Sequence, residues 1–86
     1  MIRYHQVLPL PQDAPQKGEI YAHFKTGNRY GVVGVALSSE DEWVVVYEPL
    51  YAGAIAGLFT RPCSQWRTLV EWKGEKVPRF TKVADR

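Results

Sequence analysis

Short runs of alternating or continuous apolar residues, separated by glycine, proline and polar clusters, follow one another along most of this chain. Residues 20–24 alternate between the two faces of a strand, and Tyr21 and His23 share one face. Residues 25–28 then supply a turn, because the glycine and asparagine among them tolerate a positive φ. The block predicts a strand, a tight turn and the start of a second strand.

The second strand continues in the middle of the chain, where two more strands are also predicted. Residues 30–37 are rich in β-branched side chains, and Gly31 and Gly34 within them indicate a strongly bent strand. Residues 43–47 form a continuous apolar run, which predicts a central strand buried on both faces. Residues 58–60 predict a short strand that follows an uncharged connection of small residues.

The last part of the chain predicts one turn of helix and a hairpin. Residues 62–66 begin with a proline, which favours the first turn of an α- or 3₁₀-helix. Residues 68–72 and 76–80 flank the turn signal at residues 73–75, and Pro78 places the last strand at an edge. The whole pattern predicts an all-β fold, a small barrel or roll of five or six short antiparallel strands with at most one short helical turn.

Residues 8–17 differ from the rest of the chain, since they hold three prolines and show no periodicity. Proline fixes φ and removes a hydrogen-bond donor, so this stretch predicts an extended lead-in. A chain of 86 residues has the length of one domain. We expect a proline-rich arm over residues 1–16 and a single β-barrel domain over residues 17–86.

Charge and cysteine usage narrow the classes of function. The net charge of +2 and the pI of about 8.8 do not by themselves indicate nucleic acid, although basic residues outnumber acidic ones over residues 61–86. Cys63 is the only cysteine, which excludes an internal disulfide and a CxxC pair, and the histidines and carboxylates form no metal-ligand pattern. Because no apolar run is long enough for a signal peptide or a membrane span, we expect a cytoplasmic protein without metal, cofactor or membrane partner.

An ordered set of residues from about 17 to 80 matches the pattern of a known family. The set begins with Gly18, Tyr21, His23, Phe24, Lys25, Gly27, Asn28, Tyr30, Val32, Gly34 and Ala36. It continues with Ser39-Glu40, Val45-Val46-Tyr47, Leu50-Tyr51, Arg61-Pro62 and Gly74-x-x-Val77-Pro78-Arg79-Phe80. In these residues the chain resembles a small bacterial family, domain-of-unknown-function family 1653.

The resemblance implies an SH3-like β-barrel, in agreement with the strand pattern, and it points to no enzyme activity. Two positions depart from the family pattern. Ser38 stands where a histidine usually precedes the Ser-Glu pair, and Phe59 stands at or near a usual tryptophan before the Arg-Pro pair. A site that requires two histidines is therefore not expected in this chain.

Aromatic side chains are the strongest candidates for a binding site. The chain has more rings than a one-layer core of this size needs, so some either plug the ends of a barrel or line a groove. Tyrosines supply flat contact area with a polar tip, and an arginine fork binds a carboxylate or a phosphate. We expect a non-catalytic module that binds a protein or peptide through a groove lined by Tyr21, His23, Tyr30, Tyr47, Tyr51 and Arg61.

Other functions stay open from the sequence. The basic residues over 61–86 suit RNA or single-stranded DNA. Cys63 and His23 supply the nucleophile and base of a small thiol-dependent enzyme, although no third group is evident to orient them. An edge strand such as residues 77–80 is able to pair with a second copy of the chain, which would give a homodimer.

Overall fold

The computed structural model describes residues 9–85 of the chain. Its strands are β1 (Glu19–His23), β2 (Arg29–Leu37), β3 (Trp43–Pro49), β4 (Phe59–Pro62), β5 (Leu69–Trp72), β6 (Glu75–Pro78) and β7 (Phe80–Asp85). One helical turn, α1 (Cys63–Trp66), lies between β4 and β5. This part of the chain is therefore mostly β with one short helical turn, as the sequence pattern predicts.

The strands form two antiparallel sheets. The larger sheet has five strands in the order β4-β3-β2-β1-β7, and β5 and β6 form a separate hairpin. Within residues 9–85 no strand pairs with the outer edge of β4 or with the outer edge of β7. The described strands consequently do not close into a barrel.

β2 carries the bend that its glycines predict. Val32 pairs with Tyr47 and Gly34 pairs with Val46, so Val33 is an extra residue in β2. A bulge of this kind bends a strand and increases its twist. Val33 is 40% exposed as a result of its position on the outside of the bend.

The core lies on one face of the five-stranded sheet, which we call the inner face. Residues directly opposite each other on neighbouring strands share a face. The register places on the inner face the pairs Tyr21–Tyr30, Val32–Tyr47, Tyr47–Phe59, Val45–Arg61 and His23–Phe80. The buried side chains of the core are Tyr21, Val32, Val45, Tyr47, Trp66 and Phe80.

α1 covers one end of the inner face with Trp66. The indole is fully buried and stacks on Phe80, with 4.1 Å between the ring centroids. The same indole meets Tyr47 and Tyr21 edge-on at 4.9 and 5.3 Å. A single side chain therefore joins β1, β3 and β7, and it gives the predicted helical turn a structural role. Among residues 9–85 there is no helix long and apolar enough to cross a membrane.

The predicted count of five or six strands is wrong, because residues 9–85 alone form seven. The segment predicted as one strand over residues 76–80 is two strands separated by Arg79. The chain pairs with β5 as far as Pro78, and from Phe80 onward it pairs with β1. Since β1 lies far away in the sequence, no local pattern marks this change of partner.

β3 is buried on one face and not on both, which corrects the prediction for residues 43–47. Val45 and Tyr47 are buried on the inner face, whereas Val44 and Val46 are only half-buried on the other face. A continuous apolar run does not distinguish these cases, because β-branched residues also occupy the half-exposed face of a sheet.

Residues 9–18 lead into β1 without forming a strand or a helix. Pro15 is buried, and the Gly18 N–H donates to the Val32 carbonyl at 3.0 Å, which fixes the end of this segment to β2. The rest of the arm predicted over residues 1–16 falls on residues 1–8, outside the described residues. The domain boundary at residue 17 stays a prediction.

Candidate functional site

Strand alternation brings most of the predicted site residues onto the inner face. They are Tyr21 and His23 on β1, Tyr30 on β2, Tyr47 on β3 and Arg61 on β4. Tyr51 follows β3, and its ring lies 5.6 Å from the ring of Tyr30. The predicted residues are thus contiguous, but they differ in how much of each side chain reaches the surface.

Tyr21 and Tyr47 belong to the core, since only 1% and 8% of their surfaces are exposed. The Tyr21 hydroxyl donates to Oε1 of Glu19 and accepts from Nη2 of Arg67, both at 2.9 Å. Burial raises the pKa of the Tyr21 phenol, so this hydroxyl keeps its proton at neutral pH. The two rings are therefore core side chains and not walls of an open groove.

Tyr30 connects the buried ring of Tyr47 to the exposed ring of Tyr51. Its ring meets Tyr47 at 5.5 Å, Tyr51 at 5.6 Å and Phe80 at 5.8 Å, each time edge to face. Burial, with the Tyr51 phenol beside it, raises the pKa of Tyr30 to about 12. The Tyr30 hydroxyl is therefore protonated at neutral pH, and Tyr51 next to it is 38% exposed.

His23 is held in a defined orientation at the end of β1. Its ring lies 5.2 Å from Phe80 and 4.7 Å from Phe24, and its Nδ1 accepts from the Lys25 backbone N–H at 3.2 Å. Burial lowers the pKa of His23, and the charges of Arg61, Arg79 and Lys25 lower it further. The imidazole is accordingly neutral at pH 7 and carries its proton on Nε2.

Arg61 reaches the same aromatic cluster from β4. Its guanidinium carbon lies 5.8 Å from the centre of the Phe80 ring, in the range of a cation–π contact. Its Nε is buried and has no hydrogen-bond partner, and no carboxylate within residues 9–85 forms an ion pair with it. The charge of Arg61 is thus packed against a ring and is not neutralised.

Arg79 lies beside this cluster, although it is not part of the predicted lining. It occupies the bend between β6 and β7, where its N–H donates to the Thr68 carbonyl and its carbonyl accepts from the Phe24 N–H. These bonds, of 2.9 and 3.0 Å, hold Arg79 next to His23. Its Nε is also buried without a partner. The sequence signal for this position is the block Val77-Pro78-Arg79-Phe80 in the family resemblance.

An uncharged, exposed loop adjoins these residues. The loop connects β3 to β4 over residues 50–58 and begins beside Tyr30 through Tyr51. Ile55 is 78% exposed and Leu58 is 59% exposed. Phe59, the first residue of β4, is 38% exposed and lies 6.0 Å from the ring of Tyr47. The loop with its exposed apolar side chains therefore meets the aromatic cluster at both ends, through Tyr51 and Phe59.

The candidate site combines these groups at the exposed end of the inner face. We call it the aromatic–arginine site and define it by His23, Tyr30, Tyr51, Phe59, Arg61 and Arg79, with Phe80 as its floor. It offers aromatic surface, two unneutralised guanidinium groups and a neutral imidazole. Such a set suits a ligand that carries both apolar and anionic groups.

The other cations from residue 61 onward are dispersed. The Arg67 guanidinium donates to the Tyr21 hydroxyl, and Lys82 forms 3.2 Å ion pairs with Glu19 and Asp85. Lys73 packs on Trp72 in the hairpin, at 5.4 Å from the ring centre. From this part of the chain, only the charges of Arg61 and Arg79 lower the pKa of His23.

Cys63 has its own surroundings at the start of α1. It lines shallow grooves together with Pro11 and Ser64. Burial raises the pKa of its thiol, and the carboxylates of Asp13 and Glu42 raise it further. The described residues contain no group of three or more His, Cys, Asp or Glu side chains that is able to hold a metal ion.

Comparisons with known proteins agree with the family resemblance in the sequence. A family model described as "Protein of unknown function (DUF1653)" matches residues 19–82. A crystal structure of a DUF1653 protein from Bordetella bronchiseptica is similar, with 37% sequence identity and a TM-score of 0.74. The alignment covers 87% of this chain and 94% of that chain. None of the curated proteins matches the chain.

Proposed function

The chain belongs to the DUF1653 family of proteins of unknown function, and we propose that it is a non-catalytic module that binds an extended peptide segment of a protein partner at the aromatic–arginine site. The observation that carries this proposal is the exposed apolar loop over residues 50–58, which adjoins the site at both ends through Tyr51 and Phe59. Contiguous apolar surface next to polar anchors is typical of protein interaction sites.

The free outer edge of β4 favours a peptide in extended conformation. β4 carries Phe59 and Arg61, whose side chains face the site, and within residues 9–85 no strand pairs with its outer edge. An added strand would gain main-chain hydrogen bonds along β4, and alternate side chains of that strand would meet the aromatic–arginine site. We also propose that the bent sheet with its separate hairpin is an open form of the SH3-like barrel.

The arrangement of charges favours a peptide over a nucleic acid. A nucleic-acid surface needs cations in a stripe that follows several phosphates. Lys82 is ion-paired, Arg67 is bonded to Tyr21 and Lys73 lies in the hairpin, so these cations form no such stripe with Arg61. RNA binding is therefore the alternative function, and a titration with an RNA oligomer detects it.

The surroundings of Cys63 do not support thiol catalysis. A catalytic cysteine is activated by a lowered pKa, next to a cation or a general base. Here burial raises the pKa of the Cys63 thiol, and its charged neighbours are the carboxylates of Asp13 and Glu42. His23 lies instead with Arg61 and Arg79 at the aromatic–arginine site.

Selection from a random-peptide phage library on the immobilised protein tests the proposal. We expect selected peptides that bind wild-type protein and bind Tyr51→Ala and Ile55→Ser variants at least about tenfold more weakly, the loss expected when anchor side chains of an interface are truncated. Leu69→Ser is the matched control, because Leu69 is 59% exposed but lies on β5, outside the site.

The same selection can also contradict the proposed function. If no peptide is enriched over an unrelated protein, or if enriched peptides bind all three variants equally well, the proposed function is wrong. Each variant changes an exposed side chain, so the folded state is expected to persist, and circular dichroism of each variant verifies this before binding is measured.

A further inference from the structure

Two charged N–H donors at the aromatic–arginine site lack acceptors. The Nε atoms of Arg61 and Arg79 are buried, and neither guanidinium forms an ion pair within residues 9–85. A buried donor without a partner is costly, and a charged one more so, which makes an acceptor supplied by a ligand favourable. The other buried side-chain donor without a partner among the described residues, Nε1 of Trp66, is neutral and lies inside the core.

His23 supplies a third donor beside these two arginines. Because its Nδ1 accepts from the Lys25 backbone N–H, the neutral imidazole presents an N–H at Nε2. The ring of His23 lies 5.2 Å from the centre of the Phe80 ring, and the guanidinium carbon of Arg61 lies 5.8 Å from it. Arg79 precedes Phe80 in the chain and acts electrostatically on the same imidazole.

Four of the carboxylates act on other groups. Glu19 of β1 and Asp85 of β7 pair with Lys82, and Asp13 and Glu42 act on Cys63. The charged groups that act on His23 are all cations: Arg61 from β4, Arg79 from the β6–β7 bend and Lys25 from the β1–β2 turn. The charges that act on the imidazole are therefore positive, and within residues 9–85 neither guanidinium has an ion-pair partner.

We propose that Arg61, Arg79 and His23 form an oxyanion subsite, which binds a carboxylate or phosphate group of the peptide held at the aromatic–arginine site. This inference rests on the proposed peptide-binding function and names the chemistry of the partner: an acidic or phosphorylated segment. Paired guanidinium groups suit two-oxygen acceptors, and the aromatic floor limits the access of competing water.

NMR of the wild-type protein tests the subsite, so the result does not depend on whether a variant folds. Nitrogen-15 spectra that resolve arginine Nε–Hε and histidine Nε2–Hε2 signals are recorded during additions of inorganic phosphate, sodium acetate and sodium chloride at matched ionic strength. We expect saturable shifts of the Arg61, Arg79 and His23 signals with phosphate or acetate and not with chloride. Equal shifts with all three salts would overturn the subsite.

Variants and peptides then separate this inference from the proposed function. Arg61→Gln is expected to weaken the binding of the effective oxyanion at least about tenfold, as the loss of a charge-assisted hydrogen bond predicts. Arg61→Lys keeps the charge and the aliphatic stem and is expected to be intermediate. Arg29→Gln is the control, because Arg29 is exposed and precedes the inner-face residue Tyr30, so it lies on the opposite face.

Glutamate-containing, phosphoserine-containing and alanine-substituted forms of one selected peptide identify the source of the oxyanion. Tighter binding of the glutamate form assigns a carboxylate, and tighter binding of the phosphoserine form assigns a phosphate. If all three forms bind equally and Arg61→Gln binds them as wild type does, the subsite is wrong while peptide binding stands. If inorganic oxyanions bind but no peptide does, the subsite stands and the proposed function fails.

Discussion

At the scale of single residues, the structure shows that chemically similar side chains have different roles. Tyr21 and Tyr51 are both tyrosines of the predicted lining, yet Tyr21 is a buried hydrogen-bonding centre and Tyr51 is an exposed contact. Arg67 and Arg61 differ in the same way, since Arg67 is bonded to Tyr21 and Arg61 faces a ring without a counter-ion. These differences follow from where the fold places each residue: Tyr21 and Arg61 lie on strands, Tyr51 follows β3, and Arg67 follows α1.

Tyr21→Phe is expected to lower the free energy of unfolding by about 1–2 kcal/mol, the usual effect of removing a buried hydroxyl that hydrogen-bonds charged groups. The change keeps the ring that packs on Trp66 but removes the bonds to Glu19 and Arg67. Urea unfolding followed by circular dichroism measures the difference. Tyr51→Phe is the control and should unfold like wild type, and equal midpoints for Tyr21→Phe and wild type would contradict the assigned role.

His23 is expected to titrate below its usual value of 6.5, because burial and the charges of Arg61, Arg79 and Lys25 disfavour the imidazolium. The unfolded chain then binds this proton more readily than the folded protein. The contribution of His23 therefore makes the protein less stable as pH falls from above 6.5 toward the lowered folded pKa. The contribution disappears in His23→Gln.

NMR titration of the imidazole signals in wild type, Arg61→Gln and Arg29→Gln checks this prediction. The pKa of His23 should rise in Arg61→Gln, which removes one of the nearby cations, and stay unchanged in Arg29→Gln. A bound oxyanion should also raise it. A wild-type pKa of His23 at or above 6.5 in the free protein would contradict the description of the site.

At the scale of elements, local patterns predict the strands and turns that depend on neighbouring residues. The alternation of residues 20–24 gives the correct face for Tyr21 and His23, and the paired glycines of β2 mark its bulge. Partners that are distant in the sequence leave weaker signals, so no local pattern predicts β7 or the position of Arg79 beside His23. The exposure of each tyrosine also depends on Trp66 of α1, which covers only one end of the inner face.

The β5–β6 hairpin offers a test of local turn chemistry. Lys73 and Gly74 have φ values of 51° and 82°, and two consecutive positive φ values are typical of a two-residue hairpin turn of type I′. Gly74→Ala is expected to destabilise the fold by about 1–2 kcal/mol, because an L-residue in this conformation is strained. Lys73→Asn should instead be neutral or stabilising, since asparagine tolerates a positive φ.

Gly34→Ala is the matched control for the hairpin variants. A Cβ at Gly34 meets no atom within 4 Å, and its φ lies outside the left-handed region, so alanine should be tolerated. Thermal unfolding of the three variants gives the comparison. A Gly74→Ala protein as stable as Gly34→Ala would show that the turn does not require glycine.

At the scale of the whole molecule, the five-stranded sheet carries both the hydrophobic core and the proposed binding site. Trp66 packs on Tyr21, Tyr47 and Phe80 in the core, and the aromatic–arginine site, which shares Phe80, forms the exposed end of the inner face with the loop over residues 50–58. The free edge of β4 borders the same end. A homodimer through an edge strand stays a proposal, and the free edges of β4 and β7 are the surfaces on which it would form.

The most direct test of the account is a chemical-shift titration of isotope-labelled protein with a selected acidic peptide, compared with a short RNA oligomer, at low and moderate salt. We predict saturable shifts with the peptide along β4 and at the site residues His23, Tyr51, Arg61 and Arg79. These shifts should persist at moderate salt because apolar contacts contribute to binding. Shifts with RNA alone that vanish at moderate salt would contradict the account and would assign the site to nucleic acid.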